Sequence, residues 1–263
     1  MPSSRYYRFK TTGKEERARQ RNIFFFWTVF SVAFAAVLWS FFLSPFFRIT
    51  EIKLPKNDLV AASDIQNLIV QNRPLKLGEN LLILSKSRLK ADLANSFPAI
   101  TDIKIKKQLF HSLLIDFTKR LPLGLWCDGA SCYYFDKEGI IFKEAPLTEG
   151  ALILKIQDFE SKDTSLGNRV IEKNLIGFIT AFNEKINGDG RFKIIEFKIK
   201  PASNINLEAV TDKGWSIYLD QSQDPVLTAS NLLTITREAL KNKTNNLNYV
   251  DLRISSRIFY KLK

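Results

Sequence analysis

The chain carries the uncharged run IFFFWTVFSVAFAAVLWSFFL at residues 23–43. At about 1.5 Å of rise per residue, a helix of this length crosses a hydrocarbon core of about 30 Å. A helix is the one single-segment structure that satisfies every backbone N–H and C=O group without water. A cleaved signal peptide is the alternative, but its apolar region spans only about 7–15 residues and ends in small residues. This run is longer, and the segment that follows it, Ser44-Pro45-Phe46-Phe47, does not resemble a cleavage site. We therefore predict a retained transmembrane helix over residues 23–43.

Charge beside this run predicts its orientation. Seven basic residues and two acidic residues precede it, namely Arg5, Arg8, Lys10, Lys14, Arg17, Arg19 and Arg21 against Glu15 and Glu16. Because basic flanks are retained in the cytoplasm, we expect residues 1–22 to be a cytoplasmic tail and the bulk of the chain to be extracytoplasmic. The formal net charge of +12 includes the tail, and the remainder is spread along the chain. No basic helix, zinc-ligand set or aromatic RNA-binding motif accompanies it, so nucleic acid is not an expected partner.

The first exported segment has the pattern of a small domain with two helices. Residues 47–54 alternate apolar and polar side chains, which predicts a strand. In the first helix that follows, Ser63 and Gln66 have the capping-box spacing, and Ser85 can cap the second helix. Alternating residues at 103–105 and 113–117 then predict an antiparallel pair of strands. The order β-α-α-β-β over residues 47–121, directly after a membrane anchor, resembles a POTRA (polypeptide-transport-associated) domain.

Residues 122–263 are richer in strand patterns. Short strands are predicted over residues 123–127, 132–136, 140–142, 152–156, 194–200, 206–210, 215–219, 249–254 and 257–262. Two helical stripes interrupt them, over residues 172–186 and 225–240. The predicted fold class is α+β, with one N-terminal transmembrane helix, a β-α-α-β-β POTRA domain and a mostly antiparallel sheet domain with two covering helices.

The chain has two cysteines, Cys127 and Cys132, on either side of the turn-like segment Asp128-Gly129-Ala130-Ser131. In an oxidising compartment they are a candidate disulfide that staples a hairpin, and two free thiols packed in a strand pair are the alternative. A cysteine pair with this spacing and no nearby histidine is a poor metal site. We expect neither a metal nor a cofactor.

Several short motifs, taken in chain order, resemble the bacterial cell-division family FtsQ/DivIB. They are Gly78-Glu79-Asn80-Leu81, Phe97-Pro98-Ala99-Ile100, Leu113-Leu114-Ile115-Asp116-Phe117, Lys119-Arg120-Leu121-Pro122, the turn-like residues 136–142, Tyr249-Val250-Asp251-Leu252-Arg253 and Arg257-Ile258-Phe259-Tyr260. Phe110 stands where the family usually has proline, and Lys119 stands where the family has an acidic residue. Residues 143–191 carry no motif that aligns with the family.

The resemblance implies a bitopic scaffold of the division machinery in the cell inner membrane at the septum, with FtsB/FtsL-like membrane proteins as partners. A final strand at a sheet edge exposes unpaired backbone groups, to which a partner segment can add as a further strand. The partner-binding residues expected on this basis are Ile254, Ser256, Arg257, Ile258, Phe259 and Tyr260. Core packing in a terminal strand is the alternative for Ile258 and Tyr260. For Asp251 and Arg253 we expect strand pairing or a turn-fixing ion pair, and a place in the partner interface is the alternative.

Enzymatic functions find little support in the residues. The only histidine, His111, lies in a predicted turn, and the chain has no Gly-x-Ser-x-Gly elbow, phosphate-binding loop or His-Glu-x-x-His motif. Asp136 and Glu138 flank a glycine turn, where acidic residues are common. We therefore expect no catalytic activity, and a membrane-anchored cell-wall enzyme stays an alternative. A POTRA-type component of an envelope translocation machine is another, although it normally continues into a large outer-membrane barrel, for which these strands are too few and too short.

Overall fold

The computed structural model describes residues 13–42, 47–56, 58–71, 80–108, 111–129, 131–146, 153–160, 163–200, 207–241 and 243–263. Helix α1 spans Gly13–Phe42 and begins well before Ile23, so part of the expected tail continues the helix. Within its section Arg19–Ser40, the most apolar stretch of 18 residues has a mean hydropathy of 2.0, and none of that stretch is buried within the protein. Among the described residues, it is the one helix long and apolar enough to cross a membrane. Leu43 and residues 1–12 lie outside the described residues.

Strands and helices in the order β-α-α-β-β follow α1. They are β1 (Glu51–Lys53), α2 (Ala62–Gln71), α3 (Lys86–Ser96), β2 (Ile100–Gln108) and β3 (Ser112–Lys119). These strands form a three-stranded sheet in the order β1-β3-β2, in which β1 and β3 are parallel. Strand β1 is shorter than predicted, because Arg48 forms only an isolated bridge with Asn80.

The start of α2 differs from the prediction, whereas the predicted cap of α3 is present. Helix α2 begins at Ala62, so Ser63 lies inside its first turn, and the capping box predicted for Ser63 and Gln66 is wrong. Asp64 instead accepts a hydrogen bond of 3.1 Å from the backbone N–H of Ala61, which satisfies one of the free donors at this helix start. Ser85 does cap α3, since its hydroxyl accepts from the N–H of Arg88 at 3.4 Å.

Dense backbone contacts divide the chain into two compact units. One consists of Met1–Asp92 with Lys104–Asp116, and the other of Leu93–Ile103 with Phe117–Lys263. The domain boundary expected between residues 121 and 122 stays a prediction.

The large sheet and its helices belong to the second unit. Its elements are β4 (Gly124–Cys127), β5 (Cys132–Phe135), β6 (Ile141–Ala145), β7 (Leu154–Asp158), α4 (Lys173–Asn187), β8 (Ile194–Ile199), β9 (Leu207–Thr211), β10 (Ser216–Leu219), α5 (Pro225–Glu238), β11 (Leu247–Asp251) and β12 (Phe259–Leu262). In the described part of the chain, the strand order is β12-β11-β10-β9-β8-β7-β4-β5-β6.

This sheet is mixed, whereas the sequence predicted a mostly antiparallel one. Five neighbouring pairs are antiparallel, but β4 with β7, β7 with β8 and β10 with β11 are parallel. Helix α4 connects β7 to β8, and helix α5 connects β10 to β11. A helical crossover returns the chain to the same end of the sheet, so the strands on either side of it run parallel.

One row of side chains across the sheet forms the centre of the core. Strand registers align Trp126, Ile156, Phe197, Ala209, Ile217 and Val250, and every one of them is 0% exposed. Helix α4 packs Ile179 and Phe182 into the same cluster, and α5 packs Ala229 and Leu232 into it. The two predicted covering helices therefore bury their apolar faces on one side of this sheet, and the other side carries charged residues at its centre, such as Lys198 and Glu208.

Candidate functional site

Strand β12 lies at one end of the large sheet. It pairs with β11 in antiparallel register, with Tyr260 opposite Val250 and Phe259 opposite Asp251. Within the described ranges no strand lies on its other side. Val250 is fully buried while Tyr260 is 43% exposed, because the row of core residues ends at this strand. The outer side of β12 is therefore an open edge.

The direction in which each backbone N–H group of β12 points follows from the alternation of these groups along a strand. The N–H of Lys263 donates to the carbonyl of Asn246 at 2.8 Å, so Lys263 directs its N–H toward β11. Since successive residues of a strand direct their N–H and C=O groups to opposite sides, Lys261 and Phe259 also bond toward β11. The N–H and C=O groups of Tyr260 and Leu262 then lie on the outer side, where a further strand can bond to them.

The opposite end of the sheet differs, because the start of β6 is covered. The N–H of Ile141 donates to the carbonyl of Asn168 at 3.1 Å, and the N–H of Gly167 donates back to the carbonyl of Ile141 at 2.7 Å. Ile140 and Arg169 form an antiparallel bridge beside them. The segment from Gly167 to Arg169 thus satisfies backbone groups that would otherwise be open at this edge.

The six residues predicted to bind a partner divide between a turn and the edge strand. Ile254, Ser256 and Arg257 are exposed and belong to the turn between β11 and β12, where the N–H of Arg257 donates to the carbonyl of Ile254 at 3.1 Å. Phe259 and Tyr260 belong to β12 and are 49% and 43% exposed. Ile258 is half-buried and packs against the core.

An ion pair holds the end of β11 beside this turn. Asp251 accepts hydrogen bonds from the guanidinium of Arg253 at 2.9 Å and 2.6 Å and from its backbone N–H at 3.1 Å. The hydrogen bonds from Arg253 hold the pKa of Asp251 below its usual value despite partial burial. The guanidinium also lies 5.7 Å from the ring centroid of Tyr218, whose ring stacks on Tyr249 at 4.8 Å. This arrangement stabilises the strand to which β12 is bonded.

A second support of the turn was missed by the sequence interpretation. The side-chain amide of Gln223 donates to the carbonyls of Leu252 at 3.1 Å and Arg253 at 2.7 Å. Gln223 lies before α5, and its nearest target is 29 residues away in sequence, so no local pattern indicates the contact. The loop before α5 thereby fixes the backbone that leads into the edge hairpin.

The side of the sheet opposite the helices carries a buried carboxylate on β9, two strands away from β11. Glu208 is 7% exposed and accepts hydrogen bonds from Lys200 and Ser216, each at 2.6 Å. Burial raises the pKa of Glu208, but the hydrogen bonds from Lys200 and Ser216 outweigh it and leave the pKa below its usual value. The carboxylate is therefore charged and satisfied, as a buried charge must be.

Two of the motif residues noted in the sequence, Arg120 and Asp136, form a buried ion pair. Their side chains are only 12% and 7% exposed. The guanidinium of Arg120 also donates to the carbonyl of Pro98 at 3.0 Å, and the carboxylate of Asp136 accepts from the N–H groups of Glu138 at 2.9 Å and Ile140 at 3.0 Å. The pair therefore ties the end of β3 to the turn between β5 and β6, and spacing alone did not indicate this contact.

The structure joins Cys127 and Cys132 in a disulfide. They are directly opposite each other in the β4–β5 hairpin, and the side chain of Asp128 accepts from the N–H of Ser131 at 2.9 Å in the turn between them. Across the described ranges, no three His, Cys, Asp or Glu side chains form a group that could hold a metal ion. His111 is exposed in the turn before β3.

No protein-family model matches the chain, and no curated protein matches it.

Proposed function

We propose that this chain is a bitopic scaffold of the bacterial division machinery, of the FtsQ/DivIB kind, and that it binds FtsB/FtsL-like membrane proteins by strand addition. The partner segment bonds to the outer side of β12. The observation that carries this proposal is the open edge at β12, with the backbone groups of Tyr260 and Leu262 directed outward.

Exposed side chains beside the edge suit such an interface. Phe259 and Tyr260 lie on opposite faces of β12, so an added strand gains an aromatic contact on each face. Arg257 and Ile254 extend the exposed surface into the turn. Main-chain bonds then supply affinity, and these side chains select the partner.

The difference between the two ends of the sheet also supports the choice of edge. A long open edge invites aggregation, and proteins usually cover or interrupt it. Residues 167–169 cover the start of β6, whereas the described part of the chain leaves β12 uncovered. An edge left open in this way is reasonable when a partner covers it in the cell.

The transmembrane helix and the basic residues before it support a location for the protein in the inner membrane. Helix α1 anchors the protein in the inner membrane, and the basic residues before it keep the N-terminus in the cytoplasm. The residues from about Arg48 onward then lie on the extracytoplasmic side, where partners with single transmembrane helices can reach them. The element order from β1 to β3 supports a POTRA domain in the first part. The protein acts by binding at the septum, without catalysis or a cofactor.

A pair of substitutions at one position tests strand addition. Tyr260→Pro removes the outward N–H of the edge strand, while the bonds to β11 stay intact, since proline is tolerated on an edge where its nitrogen faces outward. Tyr260→Ala removes the same side chain but keeps the N–H. We expect Tyr260→Pro to weaken capture of FtsB/FtsL-like partners by the full-length chain by about tenfold relative to Tyr260→Ala. Equal capture by the two variants would contradict strand addition.

Localisation tests the division role separately. A fluorescent fusion of the full-length chain is expected to collect at the septum during constriction, and removal of residues 254–263 is expected to abolish partner capture. Diffuse envelope signal during constriction would contradict the division role, even if the edge strand binds a partner.

A further inference from the structure

The second unit contains a cavity of about 300 Å³ that the proposed function does not use. It lies where the turn between β9 and β10 meets the end of α5. The residues that line it are Arg191, Phe192, Lys213, Trp215, Thr236, Arg237, Lys241 and Thr244. A volume of this size is at the lower end of small-molecule sites, so it suits a small ligand.

Two aromatic side chains give the cavity an apolar wall. The rings of Phe192 and Trp215 lie 4.9 Å apart between centroids, and these residues are 4% and 0% exposed. The indole N–H of Trp215 is buried, and in the part of the chain that the structure describes it has no acceptor. A buried donor without an acceptor is costly and therefore needs an explanation. An oxygen atom of a bound ligand would supply the acceptor.

The rest of the lining is positively charged. Arg191, Lys213, Arg237 and Lys241 contribute four cations, and the neighbouring carboxylates are Asp189 and Asp212, whose side chains lie beside Arg191 and Lys213. Asp189 is paired with Arg191 and lies 3.5 Å from Arg237, while Asp212 lies 4.0 Å from Lys213. Four cations against two carboxylates leave a surplus of about two positive charges at the cavity.

The arginine nearest the aromatic wall is held in place. Besides its ion pair with Asp189, the guanidinium of Arg191 donates to the hydroxyl of Thr236 at 3.2 Å and to the carbonyl of Leu233 at 2.9 Å. Arg191 therefore has a structural role at the end of α5. The exposed lysines, Lys213 and Lys241, are the cations that can turn toward a ligand.

We infer that this cavity binds a small organic dianion, with its apolar part against Phe192 and Trp215. Its anionic oxygens, carried by a phosphate monoester or a pair of carboxylates, accept hydrogen bonds from the Trp215 indole and from Lys213 and Lys241. Neither the edge strand β12 nor the residues proposed to bind a protein partner line this cavity.

The indole N–H signal of Trp215 provides a direct test. The full-length chain in maltoside micelles is titrated with phenyl phosphate, inorganic phosphate and benzyl alcohol, and Trp215→Phe assigns the indole signal. We expect a saturable shift of that signal with phenyl phosphate, at a concentration at least about tenfold lower than with either other compound. Lys213→Gln and Lys241→Gln are each expected to weaken binding about twofold to fivefold, the usual effect of an exposed ion pair.

Lys143→Gln is the matched control, since Lys143 is an exposed lysine on β6 at the other end of the sheet. It is expected to leave the phenyl phosphate titration unchanged. The inference is overturned if the indole signal shows no saturable shift up to about 10 mM phenyl phosphate. It is also overturned if Lys213→Gln and Lys241→Gln behave like the control, or if inorganic phosphate binds as well as phenyl phosphate.

Discussion

Removing the charge of Asp136 should destabilise the fold strongly, although Asp136 lies beside a turn, because its side chain is only 7% exposed. In Asp136→Asn the amide oxygen can still accept from the N–H groups of Glu138 and Ile140, so the turn keeps its hydrogen bonds. The guanidinium of Arg120, however, stays 12% exposed without its carboxylate. Breaking a buried ion pair by removing one partner costs about 3–5 kcal/mol, because an uncompensated buried charge remains.

The chain offers a matched control in the same turn. Glu138 pairs with Lys173, but those side chains are 35% and 54% exposed. Glu138→Gln is therefore expected to cost less than about 0.5 kcal/mol. The double variant Arg120→Met/Asp136→Asn removes both charges, and we expect it to be more stable than Asp136→Asn alone, with a coupling energy of about 2 kcal/mol.

Urea unfolding of the full-length chain in maltoside micelles measures these free energies. Trp126 and Trp215 are both 0% exposed and report unfolding by fluorescence, and replacing Trp27 and Trp39 of α1 with Phe removes the membrane-helix signal. A cost for Asp136→Asn below about 1 kcal/mol, or equal to that of Glu138→Gln, would refute the reasoning.

Two further predictions concern a glycine and a carboxylate. Gly139→Ala places a Cβ 2.0 Å from the carbonyl oxygen of Ile171 at a φ of +78°, so we expect a loss of about 2–4 kcal/mol in the free energy of unfolding. Gly214→Ala has nearly the same φ but open space around it, so a loss of only about 1 kcal/mol is expected, and equal losses would contradict the steric argument. For Glu208, the lowered pKa means that the unfolded chain binds the proton more tightly, so its contribution to stability is present above pH 4.5 and is lost as the pH falls through the folded pKa. Below about pH 5, the free energy of unfolding of Glu208→Gln should therefore fall less steeply with decreasing pH than that of the parent chain, by less than about 1.4 kcal/mol per pH unit. An unchanged slope would contradict a contribution of the Glu208 carboxylate to stability.

The sequence predicts helices and strands well where side-chain periodicity is strong. It predicts strand pairing and strand ends poorly where contacts between residues distant in sequence determine them. The apolar run at residues 23–43 and the order of elements from β1 to β3 follow from hydrophobic patterns. The three parallel strand pairs of the large sheet were missed, although helices predicted between strands are the usual crossover of parallel pairs. Strand β7 ends two positions later than predicted, because Asp158 is buried and accepts a hydrogen bond of 3.2 Å from the indole of Trp126.

The candidate site illustrates the same limit. Residues 257–262 alternate like a strand, yet Ile254 to Arg257 form a turn without glycine, proline or asparagine, and β12 begins only at Phe259. Val250 and Tyr260 have similar local patterns, and only the strand order makes one a core residue and the other an edge residue. An ion pair of Asp251 with Arg253 was one of the roles expected for these residues, while the support from Gln223 depends on the tertiary fold.

Amide hydrogen exchange at β12 tests strand addition most directly. In the full-length chain alone, the amide of Lys261 is expected to exchange slowly, because it bonds to β11, while those of Tyr260 and Leu262 exchange faster. With an FtsB/FtsL-like partner bound, the amides of Tyr260 and Leu262 should slow by at least about tenfold, and that of Lys261 should change little. Slow exchange at Tyr260 and Leu262 before the partner is added, or unchanged exchange after it, would contradict an open edge that receives a strand.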